Sequence, residues 1–182
     1  MQLFSLKNKK ISIYSLNRVG LCLTLLLSLL LESCATLSRY QGVGRIRRYD
    51  ICDERLPQEF DGFTIAFLSD THYPSKFTRK RLANAVRAID DLSPDALLLG
   101  GDYVTNDACA DELFAALGRC SVPAGKYAVL GNHDFKHAEV LRESMRLNGI
   151  KLLVDAADTL CVASSQIYLF GVRDYNGKAQ LS

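Results

Sequence analysis

A recurring pattern constrains this chain most. Three apolar runs, "FTIAFLSD" (63–70), "DALLLGGD" (95–102) and "KYAVLGNHD" (126–134), each close on polar residues. Amphipathic stretches separate them. In "TRKRLANAVRAIDDL" (78–92), Leu82, Ala85, Val86 and Ile89 share one helical face. In "ADELFAALGRC" (110–120), Leu113, Phe114 and Leu117 do the same, and a third helix is expected over 137–148, stopped by Asn148-Gly149. Short apolar runs alternating with helices predict the α/β class, with a mostly parallel sheet and right-handed crossovers. "GRIRRYDI" reads as a half-exposed edge strand, and "IKLLVD", "TLCVAS" and "QIYLFGV" as three short strands close together.

The strand ends carry the chemistry. In open α/β sheets ligands bind beyond the carboxyl ends of the strands. The first run ends in Asp70 and His72, the second in Asp102, and the third in Asn132 and His133. One aspartate at a strand end is ordinary turn chemistry. Three consecutive strands ending in oxygen and imidazole donors point instead to a metal site. Such donors suit manganese, iron, zinc or magnesium. Two divalent ions held about 3.5–4 Å apart need a bridging carboxylate and can activate water against a phosphoryl group. Gly101 and Gly131, before Asp102 and Asn132, let the backbone come close.

The motifs D-x-H, G-D and G-N-H-D, in this order, resemble the calcineurin-like metallophosphoesterase superfamily. "FDGFTIAFLSDTHY" after an apolar leader is similar to its bacterial membrane-associated branch, which includes enzymes that cleave a UDP-diacylglucosamine in lipid A synthesis. The resemblance implies a four-layer α/β/β/α sandwich, of which this chain holds the N-terminal part, with an incomplete second sheet. It implies two divalent metals, with Asp70 and His72 on the first, Asp102 bridging, and Asn132 on the second and on phosphate. His133 would be the catalytic group beside the leaving oxygen, and Asp134 would orient its loop. The implied activity is hydrolysis of a phosphomonoester, phosphodiester or pyrophosphate by a hydroxide activated between the metals. Thr105 stands where some relatives carry an aspartate that pairs with that histidine.

The family completes its site with a later histidine and a G-H-x-H motif. The chain has three histidines, His72, His133 and His137, so none follows His137. His137 reads as an exposed residue at a helix start. The alternative expectation is therefore a truncated, catalytically incomplete remnant, or a membrane-anchored binding protein on the same scaffold. A second sheet left open would also favour a partner chain that covers it.

The N-terminal part has its own pattern. Lys7, Lys9, Lys10 and Arg18 precede the uncharged run "VGLCLTLLLSLLL" (19–31), and Arg39, Arg45, Arg47 and Arg48 follow it. The run is shorter than the about 20 residues of a spanning helix and fits a secretory signal or signal anchor. "LESCA" resembles a lipobox, which makes Cys34 a lipidation candidate. Both readings tether the protein to a bacterial membrane, on a side the balanced flanks leave open. The organisation expected is a leader over 1–35, a linker and edge strand over 36–60, and a partial phosphoesterase domain over 61–182. The 182 residues are 48% hydrophobic and 23% charged, enough for one real core, and the net charge of +2 argues against a nucleic-acid partner. Of six cysteines, Cys52, Cys109, Cys120 and Cys161 lie beyond the leader without a C-x-x-C pair, and read as small buried hydrophobes rather than a zinc site.

Overall fold

The computed structural model describes residues 1–7, 43 and 45–172. Its frame is a six-stranded sheet. The strands are β1 (Gln2–Lys7), β2 (Arg47–Cys52), β3 (Thr64–Leu68), β4 (Ala96–Leu99), β5 (Lys126–Ala128) and β6 (Lys151–Leu152), in the order β2-β1-β3-β4-β5-β6. From β3 to β6 all pairs are parallel. The helices α1 (Arg79–Leu92), α2 (Ala110–Gly118) and α3 (Ala138–Leu147) connect them. This is the α/β class that the alternating runs predict.

Alternation along each strand sorts two cores. Ala66, Leu68, Leu97 and Leu99 point one way and pack with Leu82, Ile89, Leu113, Phe114, Leu117, Leu141 and Met145 of the helices. Their neighbours point the other way. Ala96 and Tyr127 join Phe60, Phe63 and Leu160 in a second cluster, against which Ile65, Leu98, Ile167 and Leu169 pack. A fully buried leucine such as Leu97 contributes about 1.5–3 kcal/mol. The second core lies under an antiparallel hairpin, β7 (Ala156–Val162) with β8 (Ser165–Gly171). Helices, sheet and hairpin are three of the four layers of the expected sandwich. Tyr168 and Phe170 stand 65% and 69% exposed on the outer face of the hairpin.

Local signals explain most element ends. Thr78 caps α1 by accepting Arg81 N–H on its hydroxyl at 3.4 Å. Ser93 ends it in a left-handed conformation, φ 45°, and Pro94 prevents continuation. Ala85 and Ala88 are completely buried, so the apolar face of α1 includes Ala88 besides the residues that periodicity selects. The strands are shorter than the apolar runs. β5 ends at Ala128, although Val129 N–H still reaches the Leu99 carbonyl at 3.0 Å.

Three expectations are corrected. The three short strands expected together divide: β6 extends the main sheet, and among the described residues β7 and β8 form the second one. The four cysteines are not uniformly buried. Cys120 is buried and its thiol is pushed up to about 11 by desolvation, whereas Cys52 and Cys161 are exposed. The third concerns the first residues, read as the start of a leader on the strength of their lysines. Gln2–Lys7 is a strand, paired in parallel with β2 and antiparallel with β3. The physical reason is its apolar residues. Leu3 lies in the helix-side core and Leu6 in the hairpin-side core. The rest of the expected leader, with the run 19–31 and Cys34, falls outside the described residues. No helix among the described residues is long and apolar enough to cross a membrane.

Candidate metal centre

Beyond Leu68 and Leu99, β3 and β4 give way to two segments joined backbone to backbone. Asp70 N–H donates to the Gly101 carbonyl at 3.0 Å and His72 N–H to the Asp102 carbonyl at 2.9 Å. Tyr73 N–H donates to the Tyr103 carbonyl at 2.7 Å, and Thr105 N–H returns to the Tyr73 carbonyl at 2.9 Å. This irregular ladder replaces regular strand pairing. Asp70, His72 and Asp102 all adopt left-handed backbone, with φ of 56°, 41° and 58°. A non-glycine residue there costs on the order of 1–3 kcal/mol and persists only where surrounding bonds hold it, most often at functional sites. Aspartate and histidine tolerate the region better than most residues.

The result is convergence. One ligand atom from each of Asp70, His72 and Asp102 lies within 4.8 Å of the others. Donors around a divalent ion at about 2.0–2.2 Å lie up to roughly 4.4 Å apart, so small side-chain shifts would close the set on one ion. Two carboxylates and an imidazole form a hard-to-borderline donor set. Asp70 is exposed and the other two are half-buried, so the cluster is open to solvent on one side.

The third corner meets the first two. The His133 ring stands edge-on to His72 with centroids 5.3 Å apart, and His133 N–H donates to Asp102 Oδ1 at 3.0 Å. Gly131 passes so close that a Cβ there would lie 2.2 Å from Asp102 Oδ1. Gly101, at φ +95°, faces Gly131 in the same way, with its Cβ position 2.4 Å from Gly131 N. Both glycines are therefore required by contact between the two segments. Asn132 and His133 are exposed beside Gly131. Asn132 is carried to this corner by its chain neighbours, and the cluster of converging carboxylate and imidazole donors does not include His133.

Asp134 is completely buried and organises the corner. One carboxylate oxygen accepts Asp102 N–H at 2.7 Å and Gly131 N–H at 2.9 Å, and the other accepts Tyr103 N–H at 2.9 Å. Burial raises its pKa above the ordinary aspartate value, against the opposite pull of these three donors. Asp134 thus orients its loop, as expected from the motif. Two supporting residues escape sequence reasoning. Thr71, between two donors, turns inward and donates its hydroxyl to the Tyr103 carbonyl at 2.7 Å. The Tyr103 hydroxyl lies 2.8 Å from the Leu99 carbonyl and 2.6 Å from the Val129 carbonyl, and burial pushes its pKa well up. Strict in–out alternation around Asp70 and His72 is the one signal that points to Thr71. Thr105 donates its hydroxyl to the Tyr73 carbonyl at 3.2 Å. His137 differs from expectation: its side chain is only 12% exposed and rests on the Asp107 carboxylate.

Comparison with known proteins agrees with this geometry. The chain is 27% identical over 135 residues to the uncharacterized metallophosphoesterase YkuE of Bacillus subtilis, covering 67% of this chain and 47% of that protein. It is 29% identical over 121 residues to the phosphodiesterase YaeI of Escherichia coli, covering 62% and 44%. It is 33% identical over 88 residues to the UDP-2,3-diacylglucosamine pyrophosphatase LpxG of Chlamydia muridarum, covering 46% and 27%. The chain thus spans about half the length of the first two relatives. No solved structure matches it. Residues 63–176 match the calcineurin-like phosphoesterase family, and they include every donor and both clamping loops; the chain belongs to that family.

Proposed function

We propose that this chain binds a divalent metal through Asp70, His72 and Asp102 and hydrolyses a phosphate ester there. The observation that carries the reading is the convergence of three donors, each on left-handed backbone, from two crossover segments. When bound, the metal would supply positive charge against the phosphoryl oxygens and lower the pKa of a water. The protein's own groups do the rest. Asp102 fixes the His133 backbone through its Oδ1. Asn132, exposed beside Gly131, would hold a second metal or a phosphoryl oxygen. His133 would donate a proton to the leaving oxygen, a role that its exposure and its edge-on position beside His72 support. The test is hydrolysis of bis(p-nitrophenyl) phosphate with manganese added. Activity that persists in Asp102→Ala would defeat the proposal.

A second reading has support of its own. Among the described residues the donor cluster contains three side chains. Three such carboxylate and imidazole donors make one open metal position, and a second ion would depend on the exposed Asn132. On this reading the chain binds one metal without turnover, as a non-catalytic scaffold or an incomplete enzyme. One equivalent of bound manganese with no hydrolysis would select it.

For the substrate, the LpxG relative supports a nucleotide-sugar lipid pyrophosphate, and the phosphodiesterase YaeI a simpler diester. Release of UMP from a UDP-diacylglucosamine, against release of nitrophenol alone, separates the two. For location, the basic–apolar–basic pattern around 19–31 supports attachment to a bacterial membrane. The pairing of β1 with β2 and β3 supports the uncleaved apolar run as the tether over lipid on Cys34, since cleavage before Cys34 would remove that strand. Recovery of the protein in the soluble fraction would count against attachment.

A further inference from the structure

We propose that Asp107 and His137 form a positioning pair that holds the two site segments together from their outer ends. The inference rests on reading the Asn132–His133 corner as part of the reaction site. Asp107 opens the 3-10 turn Asp107–Cys109, five residues beyond Asp102, and His137 closes the turn Phe135–His137, four residues beyond His133. His137 Nδ1 meets the Asp107 carboxylate, and this contact joins the two segments.

Three observations set this pair apart from ordinary surface ion pairing. The His137 ring is almost enclosed, although Asp107 is 55% exposed. His137 occupies the N-cap position of α3 but makes no capping hydrogen bond with its side chain. Its Nε2 is sealed from solvent without a partner. A histidine that served only as a helix start could turn both nitrogens to water and avoid leaving one unsatisfied. The ring instead stays inward, with Nδ1–H available to Asp107.

The pair completes a frame. Asp134, next after His133, ties Gly131 to Asp102 and Tyr103, so this clamp brackets Asn132 and His133. The Asp107–His137 contact adds a second tie three residues beyond that clamp and holds the chain leaving His133 against the Asp102 segment. Neither Asp107 nor His137 belongs to the donor cluster, and both act through the residues they hold.

The test compares Asp107→Ala, His137→Ala, the double variant and Asp107→Asn with the full chain. Amide hydrogen exchange is read across residues 131–137 without metal, and manganese affinity by titration. Each single alanine variant should speed exchange across 131–137 by about tenfold or more and leave β4 unchanged. The manganese dissociation constant should rise by roughly threefold to tenfold, less than or equal to the loss typical of a ligand's direct support. The double variant should be no worse than either single. Asp107→Asn, which keeps an oxygen for Nδ1–H, should stay near the wild type. Unchanged exchange in the singles, losses that multiply in the double, or an Asp107→Asn as impaired as Asp107→Ala would each overturn the pair. Should His137→Ala fail to fold, the exposed Asp107→Ala carries the comparison. The exchange readout needs no metal, so a wild type that binds none would defeat the proposed function and leave this inference to be decided separately.

Discussion

Replacing Asp134 by asparagine isolates the clamp on which the site depends. The carboxylate accepts three backbone N–H groups, two on one oxygen and one on the other. Asparagine keeps one oxygen. In its better orientation it retains the Asp102 and Gly131 bonds and turns its NH2 toward Tyr103 N–H. One charge-assisted bond is lost and a buried donor is left facing another donor. The two costs overlap, and together they amount to about 2–4 kcal/mol. For a chain of this size that lowers the melting temperature by roughly 5–15 °C. The pH dependence follows from the raised pKa of Asp134. A carboxyl whose folded pKa exceeds its free value binds its proton more readily in the folded state. Its contribution to stability is therefore complete below the free value and is lost as pH rises through the folded pKa. Asparagine has no such term, so the cost of Asp134→Asn should be larger in mild acid than at neutral pH. Urea unfolding of both proteins across that range measures it. An Asp134→Asn variant as stable as the wild type at neutral pH would refute the clamp.

Further outcomes follow from other parts of the structure. Gly131→Ala puts a methyl group 2.2 Å from Asp102 Oδ1, so manganese affinity should fall about tenfold or more, with far-ultraviolet dichroism near wild type; unchanged affinity would remove the close-approach argument. The exposed hairpin face of Tyr168 and Phe170 should bind a hydrophobic dye, and Tyr168→Ser with Phe170→Ser should reduce that binding and raise solubility. Because β1 is seated between β2 and β3, the folded protein should retain residues 2–7. Intact mass checks this, and a mature chain that begins at Cys34 would contradict it.

The helices and buried strands were legible because their signals are local. Apolar spacing predicts α1 and α2, and the polar strand ends locate Asp70, His72 and Asp102. The remaining features are set by non-local contacts. Gln2–Lys7 reads as the charged start of a leader, and only the sheet reveals where Leu3 and Leu6 are buried. "IKLLVD" resembles the strands after it, yet pairing with β5 places it in the other sheet. The burial of His137 depends on Asp107, thirty residues earlier and in no motif with it. The left-handed backbone at three donors also had no sequence signal beyond the tolerance of aspartate and histidine, since hydrogen bonds between two distant segments impose it.

The central claim is that Asp70, His72 and Asp102 form one metal centre. Its most direct test is a manganese titration of the wild type and of Asp70→Ala, His72→Ala and Asp102→Ala by calorimetry. The account predicts at least one equivalent bound by the wild type and the same site weakened or lost in all three variants. Binding that survives all three substitutions, or a wild type that binds no divalent metal, would contradict it.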